Sequence, residues 1–196
     1  MAAARRQLAA LLSITQILVT PLGAQEGTPR VPVRLVLTGV QIGRDTIEEA
    51  KAEVFRIYQE AGVEIVWPSA GPAVDSAFLV LVRTDDTAVR LGLPDAAFGM
   101  AQSTQEERGR VVFIFWNRVE KLAVKYMDYR VSRGKMLALA ISHELGHLLL
   151  PPGHSNTGLM KSDFEVREFI LASRGRLLFS DRQGQLIRGR LEKPSR

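Results

Sequence analysis

The chain has 196 residues, no cysteine and a formal net charge of +5. The absence of cysteine excludes a disulfide framework and any zinc site built on thiolates. Basic residues concentrate between Arg174 and Arg196, without the regular interleaving of aromatic side chains expected of a nucleic-acid platform. We therefore expect no nucleic-acid partner. We interpret the basic tail as a solvated segment, with attraction to an anionic membrane surface as the alternative.

The first 24 residues have the composition of a secretory signal peptide. Arg5 and Arg6 form a positive n-region, residues 8–19 an apolar h-region, and residues 21–24 a small-residue cleavage site. The apolar run is short for a membrane-spanning helix, so we expect the signal peptide to be removed by cleavage. A retained signal-anchor is the alternative. Residues 25–196 are then predicted to form one domain of a secreted or periplasmic, monomeric protein with no stable membrane span.

Strand-like and helix-like patterns alternate along the domain, which predicts an α+β fold with an α/β-like N-terminal half. Its first strand, helix and second strand predict a parallel strand pair, and its third strand is apolar enough to be central. The expected architecture is a mixed, twisted sheet with a backing helix. The predicted strands are 31–40, 63–67, 77–82, 94–102 and 111–115, with a polar loop at 103–110. The predicted helices run from Asp45 or Thr46 to Ala61, where Gly62 ends the helix, and over 117–126, 133–149, 163–173 and 181–191, the last one followed by the basic tail to 196.

Every histidine of the chain falls within residues 142–154. His143 and His147 are four residues apart, so a helix places both imidazoles on one face. Glu144 lies between them and completes the pattern H-E-x-x-H. In that pattern the histidines bind zinc and the carboxylate is placed to act on a water molecule, so we predict a Zn²⁺ site with Glu144 as its catalytic carboxylate.

The helix that carries this motif is predicted to begin after the N-cap residue Ser132 and to stop at its C-terminal prolines. Leu150 precedes Pro151 and Pro152, which cannot continue the helical hydrogen bonds. A glycine then permits a sharp turn that brings His154 back towards the same metal. Three histidine ligands would leave one coordination position open for water or substrate.

A carboxylate from the next helix is the alternative third ligand. Glu165 and Glu168 follow His147 at suitable distances in the sequence, although an exposed helix face explains them equally well. We prefer His154, because the helix break would otherwise have no evident purpose and imidazole is a good zinc ligand.

The motif segment resembles the metzincin branch of the zincin metallopeptidases, whose signature is H-E-x-x-H-x-x-G-x-x-H followed by a methionine-containing turn. His143, Glu144 and His147 match its first three positions. The resemblance implies that Met160 is the Met-turn residue, lying beneath the metal. The chain departs from the signature at Leu150, which stands at the glycine position, and in its third histidine, which comes one residue late.

In zincins an edge strand borders the cleft and pairs with an extended substrate. By its position before the motif helix, the segment 98–101, which begins at Phe98 and includes Gly99, Met100 and Ala101 as substrate-binding candidates, is our candidate for that strand, with an ordinary hairpin strand as the alternative. The tyrosine that some metzincins place after the Met-turn has no counterpart in residues 161–164. Candidates for its role in stabilising the oxyanion are Tyr126, Tyr129 and Arg167.

These observations predict an exported zinc-dependent metallopeptidase that hydrolyses peptide bonds of a peptide or protein substrate. Glu144 would accept the proton of a zinc-activated water and pass it to the leaving amine. The alternative is a non-catalytic zinc-binding envelope protein of the same fold, in which the metal stabilises a small domain.

Overall fold

A computed structural model describes residues 28–68, 77–102 and 110–192 of the chain. The predicted signal peptide, most of the loop at 103–110 and the last four residues of the basic tail lie outside the described residues. The strands are β1 (Arg30–Thr38), β2 (Glu64–Val66), β3 (Phe78–Arg83), β4 (Gly99–Gln102) and β5 (Val111–Phe115). The helices are α1 (Arg44–Glu60), α2 (Asp86–Arg90), α3 (Trp116–Lys125), α4 (Arg133–Leu149), α5 (Val166–Ser173) and α6 (Asp181–Leu191).

The five strands form one mixed sheet in the order β2-β1-β3-β5-β4. β1 pairs in parallel with β2 and β3, and β3 pairs in parallel with β5. The predicted parallel pair flanking the first helix and the central position of the third strand are therefore confirmed. Only β4 runs antiparallel, along β5, and it lies at an edge of the sheet. The fold is accordingly mixed α/β, with a mostly parallel sheet.

Several predicted boundaries are corrected by local contacts. The strand expected over 94–102 begins only at Gly99, because the preceding residues form turns. The helix expected to begin at Asp163 begins at Val166, since the Glu165 and Glu168 side chains form a capping box at its start. Gly43 occupies the N-cap position of α1 without a side-chain cap, so the predicted cap at Asp45 or Thr46 is wrong. The five-residue helix α2 was not predicted.

Helix α4 is held against α1 along much of its length. The predicted cap at Ser132 is confirmed, because its hydroxyl accepts a hydrogen bond from Lys135 N at 3.1 Å and also donates to Glu49 Oε1 of α1 at 2.7 Å. Farther along, the buried Tyr58 hydroxyl of α1 donates to the Ser142 carbonyl at 3.1 Å. These contacts fix α4 at its start and beside the motif.

An ideal helix places Met136 and Ala140 on the same face as His143 and His147, which predicts that all four face the cleft while the opposite face lies in the core. This prediction is wrong for Met136 and Ala140, which are buried and line a small apolar void together with Phe98 and Phe164. The helix is therefore enclosed on nearly all sides, and only its C-terminal part, from His143 onwards, borders an open cavity.

None of the helices in the described part of the chain is long and apolar enough to cross a membrane.

Candidate metal centre and catalytic cleft

The three histidines converge at the C-terminal end of α4. Nε2 of His143 lies 3.1 Å from Nε2 of His147, one turn further along the helix. One ring nitrogen from each of His143, His147 and His154 lies within 4.8 Å of the others, and such a group could hold a metal ion. In a tetrahedral zinc site with Zn–N bonds of about 2.05 Å, ligand nitrogens are about 3.3 Å apart, which is close to the 3.1 Å between His143 Nε2 and His147 Nε2.

His154 reaches the other two histidines because the helix ends as its prolines require. Leu150 is extended (φ −107°, ψ 164°), although its N–H still donates to the Gly146 carbonyl at 2.8 Å. Gly153 then adopts a φ of +118°, a conformation that glycine tolerates and other residues rarely adopt. After His154, the Ser155 N–H donates to the Met160 carbonyl at 2.8 Å and closes the following loop. His154 itself is exposed.

A backbone carbonyl fixes the orientation of the His143 ring. Nδ1 of His143 lies 2.8 Å from the Leu159 carbonyl oxygen, which can only accept, so Nδ1 carries the proton and donates it. The Leu159 N–H donates in turn to the Leu178 carbonyl at 2.9 Å, which holds that carbonyl in place. Nε2 of His143 is thereby left unprotonated, as a metal ligand must be.

The electrostatics of the site favour neutral imidazoles. Burial lowers the pKa of His143 to about 4, against the opposing effect of the Leu159 hydrogen bond, and the neighbouring histidines lower this pKa further. Burial and the proximity of His154 also lower the pKa of His147. At neutral pH both rings on α4 are therefore uncharged, so each has one nitrogen free to bind a metal without first losing a proton.

Glu144 is buried against the edge strand, with 6% of its surface exposed. Burial raises the pKa of its carboxyl to about 8, while a hydrogen bond from the Ala101 backbone N–H acts in the opposite direction. Gly99 provides the space for this side chain, because a Cβ built at Gly99 would lie 2.5 Å from Glu144 Cγ. The carboxylate is therefore positioned by β4 as well as by its own helix.

A cavity of about 470 Å³ opens beside these residues. His143, Glu144, His147 and His154 all line it, and β4 with the preceding turn forms a continuous part of its wall. Gly99, Met100 and Ala101 lie in this wall, and β4 is an edge strand of the sheet. The three residues therefore share the cavity wall with the histidines and lie on an open edge of the sheet.

Met160 packs beneath the motif helix. It is 1% exposed, and a Cβ built at Gly146 would lie 2.5 Å from its Sδ atom. A side chain at position 146 would therefore push the methionine away. Met160 directly follows Leu159, so the same loop places the methionine under the helix and the carbonyl on His143.

The remaining candidates lie elsewhere. The buried carboxylate of Glu168 accepts hydrogen bonds from Lys161 Nζ at 3.1 Å and from Glu165 N at 3.0 Å, and it is not part of the metal-capable group found among the described residues. Tyr126 stacks on Phe169 with ring centroids 3.9 Å apart. Within the described part of the chain, the cavity lining includes none of the three expected candidates for oxyanion stabilisation, which are Tyr126, Tyr129 and Arg167.

Sequence reasoning missed several contributors to the site. The Leu159 carbonyl, the ring of Phe164 beside His143, and the polar pair Ser162 and Asp163 in the cavity wall were not identified. In the sequence, proximity to Met160 was the one indication that the segment 159–164 belongs to the site, since a backbone carbonyl leaves no pattern in the sequence.

No known protein family matches the chain, and no curated protein is detectably similar to it.

Proposed function

We propose that this protein is a zinc-dependent metallopeptidase of metzincin-like type. The observation that carries the proposal is the convergence of three histidine nitrogens with a buried glutamate on one cavity bordered by an edge strand. The donor set supports zinc among the possible metals, because three neutral imidazoles with an open position are typical of catalytic zinc sites.

In this proposal, separate residues bind the metal, transfer the proton and align the substrate. His143, His147 and His154 would hold Zn²⁺, which when bound supplies a Lewis acid for the scissile carbonyl and a water molecule of lowered pKa. Glu144 would accept the proton of the attacking water and deliver it to the leaving nitrogen. The β4 edge would align the peptide backbone through its remaining free backbone groups, since the Ala101 N–H already donates to Glu144.

The departures from the metzincin signature are compatible with this proposal. His154 lies with the other two histidines despite its late position, and Gly153 before it adopts a positive φ. Export from the cytoplasm, the peptide or protein substrate and the absence of a nucleic-acid partner remain part of the proposal. The non-catalytic zinc protein is the competing function, and the placement of Glu144 over the cavity speaks against it, since a purely structural zinc site does not need this carboxylate.

The test is zinc content followed by hydrolysis. Protein beginning at Gln25 is dialysed and its zinc per chain is measured by elemental analysis, with about one zinc expected. A peptide library is then incubated with the zinc-loaded wild type and with Glu144→Gln. Cleavage by the wild type alone supports the peptidase. Zinc binding without cleavage identifies the non-catalytic zinc protein, and a folded protein without zinc rules out both functions.

A further inference from the structure

The lining of the cleft contains carboxyl groups, although the chain as a whole is basic. Among the described residues that line the cavity, Glu144 and Asp163 carry carboxylates and none is a lysine or an arginine. Apart from the histidines and Ser162, the other lining residues are apolar or glycine. The net charge of +5 therefore arises from residues outside this lining.

Asp163 has a carboxylate oxygen that is exposed to the cleft and free to bind a ligand. It is exposed, and its Oδ2 atom accepts a hydrogen bond from the Ser162 hydroxyl at 3.0 Å, which leaves its other oxygen able to accept from a ligand. The nearest cation in sequence is engaged elsewhere: Lys161 Nζ contacts Glu165 Oε2 at 3.0 Å and Glu168 Oε2 at 3.1 Å. Within the described residues, no lysine or arginine forms an ion pair with Asp163.

We propose that Asp163 selects peptides that carry a cationic side chain close to the bond that is cleaved. This inference rests on the proposed peptidase function and names its substrate class. A lysine or arginine would direct its charge to the free Asp163 oxygen while its methylene stem lies along the apolar wall. An acidic side chain in the same position would be repelled by Asp163, because two like charges would then lie close together.

The probes are alanine-rich hexapeptides, blocked at both ends, with Lys, Gln or Glu at each of the four central positions in turn. The zinc-loaded wild type is expected to cleave the best Lys peptide with a kcat/KM about two to five times that of its Gln counterpart, as for other partly exposed charge pairs, and to cleave the Glu peptide least. In Asp163→Asn the Lys peptide should lose its advantage, while zinc content and kcat/KM for the Gln peptide are retained. Asp163→Lys should favour Glu.

Asp181→Asn is the matched control, because this exposed aspartate lies in the first turn of α6 and does not line the cavity. It should keep the preference of the wild type. A Lys preference that persists in Asp163→Asn, or that is absent from the wild type, overturns the proposal.

Binding separates this inference from the peptidase function. The dissociation constants of the same peptides are measured for zinc-loaded Glu144→Gln, with and without Asp163→Asn. If the wild type cleaves no peptide but Lys peptides bind more tightly only when Asp163 is present, the peptidase proposal fails and the role of Asp163 stands. Equal affinities for the three peptides contradict that role even if hydrolysis is observed.

Discussion

Gly99 of the edge strand lies directly against the side chain of Glu144, so that a Cβ at Gly99 would stand 2.5 Å from Glu144 Cγ and 2.9 Å from its Oε1. Gly99→Ala should displace the carboxylate and lower kcat by at least about tenfold, because small misplacements of a catalytic group are costly. Zinc content should not change, since β4 carries none of the histidines. Gly43→Ala is the control, because nothing lies within 4 Å of the added carbon. Equal kcat values for the two variants would contradict this role of Gly99.

Replacement of His154 tests the third ligand. His154→Ala should weaken zinc binding more than about 100-fold, because loss of even an outer-shell partner typically costs 10- to 100-fold. Glu168→Gln should bind zinc as the wild type does, since glutamine can keep the capping contact. Competition titration with a chromophoric chelator measures both affinities. A loss confined to Glu168→Gln would instead identify Glu168 as the ligand.

Gly146 is required by the methionine beneath the helix. Gly146→Ala should lower the free energy of unfolding by about 1–3 kcal/mol, because the new methyl group overlaps Met160 Sδ and lies 3.1 Å from Phe179 Cε1. Zinc affinity should fall as well, since the displaced loop carries the carbonyl that holds His143. Gly189 also lies on a helix, but nothing lies within 4 Å of a Cβ built there. Gly189→Ala should therefore raise the free energy of unfolding by less than about 1 kcal/mol. Urea unfolding compares the two variants.

Arg118 supports the turn that precedes the edge strand. Its buried guanidinium donates from Nη1 to the carbonyls of Pro94 and Ala97 at 2.6 and 2.8 Å. Arg118→Met would leave both carbonyls without this donor, and we expect a loss of about 1–3 kcal/mol in the free energy of unfolding. KM should rise with zinc affinity unchanged, because Pro94 and Ala97 line the cleft and bind no metal. Lys121→Met, on the exposed part of the same helix, should leave both properties unaltered.

The carboxyl of Glu144 makes the stability of the zinc-free protein depend on pH. Its pKa is raised from 4.5 to about 8 in the folded chain, so between these values the folded protein retains a proton that the unfolded chain has released. The free energy of unfolding should therefore fall as the pH rises through this window. Relative to Glu144→Gln, the zinc-free wild type should lose more than about 1 kcal/mol between pH 5 and pH 8.

Urea unfolding of the two zinc-free proteins across this range measures the difference, and every other titrating group is common to both. Bound zinc should reduce the pH dependence, because a nearby cation stabilises the carboxylate. Stability curves that run parallel from pH 5 to pH 8 would show that Glu144 does not titrate in this window.

Much of the local structure is predictable from short patterns. The spacing of His143 and His147 places them on one helical face, and Pro151 requires the extended Leu150 and the end of α4. Ser132 caps its helix as predicted, since a hydroxyl next to an orphan N–H is a local arrangement. The parallel pairing of β1 with β2 also follows from the order of elements.

Other features depend on contacts between distant segments. The carbonyl that orients His143 belongs to Leu159, and the glycine that makes room for Glu144 lies on a different element, 45 residues earlier. The same holds for the apolar cover over Met136 and Ala140, which comes from Phe98 and Phe164.

The sequence by itself determined the donor residues, the helix that carries two of them and the break that returns the third, because each depends on backbone rules that act within a few residues. Only the tertiary structure decided which ring nitrogen of His143 carries the proton. It also decided that Glu144 lies against β4 and that Asp163 faces the cleft. Those outcomes depend on how the α4 helix, the edge strand and the loop after His154 pack together, and packing between distant segments has no periodic signature in the chain.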